Sequence, residues 1–262
     1  MIRIEALTKK YGGLTAVDNL TLTVRPGEIY GFLGPNGAGK TTTIKTIVGL
    51  LRPTAGDIWV DGHHVVKEAD AAKRASGYIP DTPQPYDRLT GREFLLTMGA
   101  LYGVEPGLRA ERVARALELF ELEPWANELT ESYSHGMKQK LVISAALIHE
   151  PRVIVADEPL VGLDPRSARR LKELFQALAA GGRTVILATH ILEIAEKLCH
   201  RVGIMAHGRL VAEGTVGELR ELVKAPGSNL EELFLALTAE GGADAEALGE
   251  MRNEECEMRN AK

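Results

Sequence analysis

Only two cysteines, Cys199 and Cys256, occur in the 262 residues of this chain. That scarcity excludes a disulfide framework and favours a reducing, intracellular compartment. No stretch approaches the roughly 18 consecutive apolar residues of a membrane span, so a role at a membrane has to run through a partner. The N-terminal MIRIEALTKKYGG alternates charged and apolar residues and lacks the apolar core of a secretion signal. Positive charge is also in short supply. Lys and Arg number 31 against 36 Asp and Glu, a net charge of −5, which argues against a dedicated nucleic-acid binder. What is present is ordinary: 45% hydrophobic and 26% charged residues exclude a disordered or collagen-like chain. The length fits one large domain, or one domain with appendages.

Periodicity gives the organisation. Ile2 to Leu7 and Leu20 to Val24 alternate apolar and polar residues and read as half-buried antiparallel strands. The run from Gly27 to Leu33 suits a central strand. A glycine-rich loop and a helical stretch from Lys40 to Leu51 follow, closed by Pro53. Asp57 to Asp61 is a further strand. Arg92 to Tyr102, Arg109 to Phe120 and Met137 to His149 carry apolar residues at helical spacing. They form a helical insertion between two halves of an α/β core. The core resumes with Val153 to Asp157, a helix from Ser167 to Ala179, and the strand Thr184 to Thr189. A helix near Glu193 to Cys199 and strands at Arg201 to Met205 and Arg209 to Gly214 complete it. Such alternation implies a largely parallel sheet covered by helices. Leu230 to Leu237 has the spacing of a short amphipathic helix. Beyond Ala239 the chain turns acidic and repeats EMRN seven residues apart, the composition of a frayed tail.

Gly34 to Thr41, GPNGAGKT, fits the pattern G-x-x-x-x-G-K-[ST]. Backbone N–H groups along Gly34, Asn36, Gly37, Ala38 and Gly39 can wrap phosphates, and the following helix, through Thr42, adds its N-terminal partial charge. Lys40 can reach β- and γ-phosphates, and Thr41 can place its hydroxyl on Mg²⁺. Val153 to Glu158, VIVADE, is an apolar run ending in two carboxylates. Alone, such a pair is common in turns. Paired with the phosphate loop, Asp157 can hold the Mg²⁺ shell and Glu158 can orient and deprotonate a water.

Between these motifs lies SYSHGMKQK, Ser132 to Lys140. Here the chain resembles the ATP-binding cassette (ABC) family, whose signature is usually written LSGGQ. Tyr133 to Met137 occupy its five places. Ser134 and Gly136 match; His135 and Met137 depart. The form Tyr-Ser-x-Gly-Met-x-Gln resembles the branch that powers ABC-2-type exporters. The resemblance implies a P-loop NTPase core of α/β class with an antiparallel β subdomain and an α-helical subdomain. Residues 1–239 would be the cassette, about 85–150 its helical part, and 240–262 an acidic, flexible tail. Tyr11 then corresponds to the aromatic that stacks on adenine, Asp164 in VGLDP to the cross-dimer residue, and His190 to the switch histidine at the γ-phosphate. Glu158, His190 and Lys40 would be catalytic. Ser134 and Gly136 would face the nucleotide of a second copy.

One departure is local. The family places a glutamine after the stretch GYIP, here Gly77 to Pro80; this chain has Asp81, with Gln84 three residues on. Asp81 either fills that role, binding Mg²⁺ or its water, or is a solvated loop carboxylate. The resemblance further implies ATP and Mg²⁺ as cofactors, and a separate membrane permease and a second ATPase copy as partners. It places the chain in the cytoplasm, peripheral on the inner face of the cell membrane, with export as the direction and no nucleic acid involved. A soluble ABC-type ATPase of translation or DNA repair is the alternative; a P-loop kinase or a catalytically dead module fits less of the pattern. His63 and His64 fall in an expected turn and are not metal ligands. Trp59 and Trp125 read as packing residues, and Lys138 and Lys140 as a solvated helix face.

Overall fold

The computed structural model describes residues 1–223 and 229–240. Residues 241–262, nearly all of the expected tail, lie outside the described residues. Two sheets organise the fold. The first is antiparallel and built from β1 (Ile2–Tyr11), β2 (Leu14–Val24), β4 (Ala55–Val60) and β5 (His63–His64), in the order β2-β1-β4-β5. The second contains β3 (Ile29–Leu33), β6 (Ser76–Ile79), β7 (Val153–Asp157), β8 (Thr184–Ala188), β9 (Arg201–Ala206) and β10 (Arg209–Gly214). Its order is β10-β9-β3-β8-β7-β6, parallel throughout except for the β9–β10 pair.

The apolar runs of β3, β7 and β8 follow from this placement, because both faces of the second sheet are covered. Ile154 and Ala156 face one core with Val185 and Leu187; their neighbours Val153 and Val155 face another with Ile186 and Ala188. Between β3 and β7 lie α1 (Lys40–Ile47), α2 (Ala69–Ala75), α3 (Gly91–Leu101), α4 (Pro106–Leu119) and α5 (His135–Leu147). After β7 come α6 (Pro165–Ala180), α7 (Leu192–Leu198), α8 (Val216–Leu222) and α9 (Leu230–Glu240). None of the described helices is long and apolar enough to cross a membrane.

Several boundaries move from the expected ones. β1 and β2 run on past the alternating segments because their pairing shifts register near Leu7. Ala6 and Asn19 sit at positive φ there (47° and 48°), and the bulges break the period-2 pattern. α1 ends at Ile47 rather than Leu51. Gly49, at φ 70°, turns the chain out of the helix, and the Leu50 N–H closes on the carbonyl of Lys45. The helices α2 and α8 and the strand β6 are short and were not expected. His63 and His64 pair with β4 instead of forming a turn. His64 Nε2 lies 2.7 Å from Asp57 Oδ1, and His63 Nδ1 lies 3.3 Å from Glu68, so both rings have local partners.

Candidate active site

The parallel register brings the chemistry together. Phe32 and Asp157 both pair with Ala188, and Ile79 pairs with Ala156. The loops leaving the carboxyl ends of β3, β6, β7 and β8 therefore open on one side of the sheet, where ligands of open α/β folds bind. A cleft of about 570 Å³ lies there. Asn36, Gly37, Gly39, Lys40, Thr41 and Thr42 line it, as do Asp81, Asp157, Glu158 and His190. Tyr11, Leu14 and Ala16 of the antiparallel sheet also contribute to it.

The phosphate loop has the conformation its glycines permit. Gly39 caps α1 in the left-handed region (φ 103°), and a Cβ there would run into the carbonyl oxygen of Ala16. Lys40 is buried, and its ammonium donates to the carbonyls of Gly34 (2.7 Å) and Pro35 (3.1 Å). Burial lowers its pKa, opposed by the charges of Glu158 and Asp157. Gly34 and Ala38 do not line the cleft. The carbonyl of Gly34 holds Lys40, and the carbonyl of Ala38 accepts from the N–H of Gly208.

Asp157 is 1% exposed. Burial raises its pKa, the Thr41 hydroxyl opposes the rise, and the charges of Asp81 and Glu158 add to it. Its Oδ2 is buried with no hydrogen-bond partner. An orphaned carboxylate oxygen with a threonine hydroxyl and a second carboxylate in the same cleft suits a hard cation. Among the described residues no three His, Cys, Asp or Glu side chains form a self-sufficient metal cluster. The donor set therefore matches a cation that takes its remaining ligands from phosphate and water, as Mg²⁺ does.

Glu158 follows at φ 47°. Its Oε1 accepts the N–H of His190 (2.9 Å) and lies 2.7 Å from His190 Nδ1; its Oε2 accepts the hydroxyl of Thr189 (3.0 Å). Thr189 escaped the sequence reading, as did the apolar pair Leu14 and Ala16 beside Tyr11. The only available signal for Thr189 was its place at the strand end before His190.

Asp81 lines the cleft while Gln84 does not. Ser134, Gly136 and Asp164 are likewise outside it. Ser134 caps α5, accepting the N–H of Met137 at 3.3 Å. Asp164 caps α6, accepting both the N–H and the hydroxyl of Ser167. The two lysines of the signature helix are not a solvated face. Lys140, 15% exposed at its side chain, pairs with Asp164 at 2.8 Å, and Lys138 pairs with Asp87 at 3.3 Å. Trp59 packs as expected, against Arg3 and His64, but Trp125 is 45% exposed.

The model of the family described as ABC transporter matches residues 17–161. The chain is 40% identical to the daunorubicin/doxorubicin resistance ATP-binding protein DrrA of Streptomyces peucetius, over 94% of this chain and 74% of that protein. It is 38% identical to the linearmycin resistance ATP-binding protein LnrL of Bacillus subtilis, over 90% and 78% respectively. A solved ATP-binding subunit of an ABC transporter superposes with a TM-score of 0.87 at 34% identity, covering 90% of this chain and 99% of that one. A dimeric cassette in a post-hydrolysis state with ADP and Pi superposes at 0.76, with 26% identity over 82% and 99%. The cleft, its two motifs and these likenesses agree: this chain belongs to the ABC transporter family, as an ATP-binding, ATP-hydrolysing subunit.

Proposed function

We propose that two copies of this chain close head to tail on two ATP molecules and drive export through a separate membrane permease. One observation carries the reading. Lys40, Asp157, Glu158 and His190 share one cleft, while Ser134 and Gly136 of the same chain lie outside it and remain available to a second copy. Ser134 and the first N–H groups of α5 make an anion site that suits the γ-phosphate held by that copy. Residues 1–239 act as the cassette, with 85–150 as its helical part. Tyr11 stacks on adenine, and backbone N–H groups of Asn36, Gly37 and Gly39 to Thr42 hold the phosphates.

Thr41, Asp157 and Asp81 would hold Mg²⁺, which when bound supplies neutralising charge to the phosphates. Glu158 takes a proton from the attacking water, with His190 and Thr189 fixing its orientation. Closure excludes other water, and loss of the γ-phosphate removes the group that bridges the two copies. Opening and closing is the motion that a permease can use. The exposed Tyr86, Trp125 and Leu129 on the helical part support that region as its docking face. Such docking would hold the chain in the cytoplasm, on the inner face of the cell membrane.

Export is favoured by relatives named for drug resistance and by the Nod factor export ATP-binding protein I of Paraburkholderia xenovorans, 37% identical over 89% of this chain. The test is Glu158→Gln. It should bind ATP, keep only a small residual turnover and accumulate an ATP-dependent dimer by size-exclusion chromatography. Wild-type turnover in this variant would remove Glu158 as the base, and monomers at saturating ATP would remove the sandwich.

A further inference from the structure

Tyr133 stands directly before Ser134 and is 5% exposed. Its hydroxyl donates a 2.7 Å hydrogen bond to the carbonyl of Trp125. Its ring sits over Gly91, the first residue of α3, where an added Cβ would collide with the tyrosine hydroxyl. Gly91 is not at positive φ, so its backbone does not require glycine. A helical residue is ordinarily better served by alanine. What Gly91 provides is a notch for Tyr133.

The surroundings of that contact are densely bonded. The Thr130 hydroxyl donates to the Tyr86 carbonyl at 2.8 Å, and its N–H donates to Leu89 at 2.9 Å. The N–H groups of Gly91 and Arg92 donate to Glu128 (3.3 Å) and Ala126 (2.8 Å). The N–H of Glu131 donates to Asp87, which also pairs with Lys138. Residues 86–92 descend from Asp81, which lines the cleft; residues 126–133 lead into Ser134, which does not. Tyr133 is a buried side chain at the junction between the two segments, in one cluster with Phe94 and Ala126.

We propose that Tyr133 is a positioning residue which, seated in the Gly91 notch and bonded to Trp125, makes residues 86–92 and the loop bearing Ser134 move as one body. The inference rests on the reading of Ser134 as a phosphate-binding group for a second copy.

Amide hydrogen exchange on the full-length chain without nucleotide is the test. Tyr133→Phe should raise exchange together in residues 86–92 and 133–138 and leave residues 34–42 unchanged. Gly91→Ala should do the same, and should lose most of its effect in a Tyr133→Leu background, where no ring or hydroxyl meets the added methyl. In steady-state ATP hydrolysis, Tyr133→Phe should lower kcat about fivefold with KM within about twofold, because the cleft itself is intact. Exchange rising in only one of the two segments, or in neither, overturns the coupling. So does a Gly91→Ala effect of equal size in both backgrounds, or an unchanged kcat. The exchange arm needs no ATP, so its failure is distinct from failure of the Glu158→Gln dimer test.

Discussion

Glu158 Oε1 lies 2.9 Å from the backbone nitrogen of His190 and 2.7 Å from that residue's Nδ1, so one carboxylate oxygen is fixed twice by one neighbour. The Thr189 hydroxyl holds the other oxygen. The end of β8 thus sets the direction of the group at the end of β7. A carboxylate held this way presents one orientation to a water rather than many, which is what general-base catalysis needs.

That arrangement makes Glu158 and His190 a single unit. His190→Ala should reduce kcat by roughly 10²-fold, near the lower end for a lost acid–base partner. Adding His190→Ala to Glu158→Gln should cost little more than Glu158→Gln alone, because members of one constellation are not additive. Stopped-flow or coupled-assay kinetics on the three variants decide it. A double variant worse than the single by the full His190 factor would mean that the histidine acts independently.

The cation reading turns on Asp157 and Asp81. Asp157→Asn should raise the Mg²⁺ concentration needed for half-maximal turnover by at least about tenfold, since the buried Oδ2 loses its charge. Asp81→Ala should shift the same titration by a smaller factor, and Gln84→Ala, outside the cleft, should not shift it. If Gln84→Ala abolished turnover and Asp81→Ala left both turnover and Mg²⁺ dependence intact, the roles would be reversed.

Asp164 performs two structural tasks before any cross-dimer one. It pairs with Lys140 and caps α6 through Ser167, and these contacts, the Lys140 bond foremost, hold its carboxyl far below the usual carboxylate range. Asp164→Ala should cost about 1 kcal/mol, mainly as a lost helix cap. Lys140→Met should cost less, because half of the Asp164 side chain is exposed and solvent screens the pair. Urea unfolding of both variants gives the comparison. An equal cost for the two would place the stability in the ion pair instead of the cap.

Legibility in the sequence followed local pattern strength. β3, β7 and β8 were readable because strands buried on both faces must be apolar throughout. The phosphate loop was readable because spacing and residue type are both dictated by a phosphate. β6 has four residues and α2 seven, too few for a period to emerge, so the segment delivering Asp81 went unseen as structure. Thr189 and Lys140 were illegible for another reason. Their partners, Glu158 and Asp164, are distant in sequence, and no local rule encodes such pairs. Asp81 is the intermediate case. Its place after Gly77 to Pro80 was legible, but its neighbourhood to Asp157 came only from the β6–β7 pairing.

His149 supplies a pH dependence at the junction of the helical part and the sheet. Its ring stacks on Tyr102, with centroids 3.9 Å apart, and its Nε2 lies 3.1 Å from the Ser76 carbonyl. Its Nδ1 is buried without a partner, and Arg112 stands nearby, bonded to Ile148 and Glu150. A proton on Nδ1 would find no acceptor, and burial pushes the pKa down to about 4. The unfolded chain, with an ordinary histidine near 6.5, therefore binds the proton first as pH falls. Stability from this group is complete above about pH 6.5 and is lost as pH falls from there toward 4. At about 1.4 kcal/mol per pH unit, reduced because the ring is not fully enclosed, the loss should reach roughly 2 kcal/mol. His149→Phe keeps the stack and removes the titration. Its unfolding free energy should be lower than wild type at pH 8, where the bond to Ser76 is missing, yet fall less between pH 6.5 and 4.5. Parallel curves across that window would assign the acid sensitivity to another group.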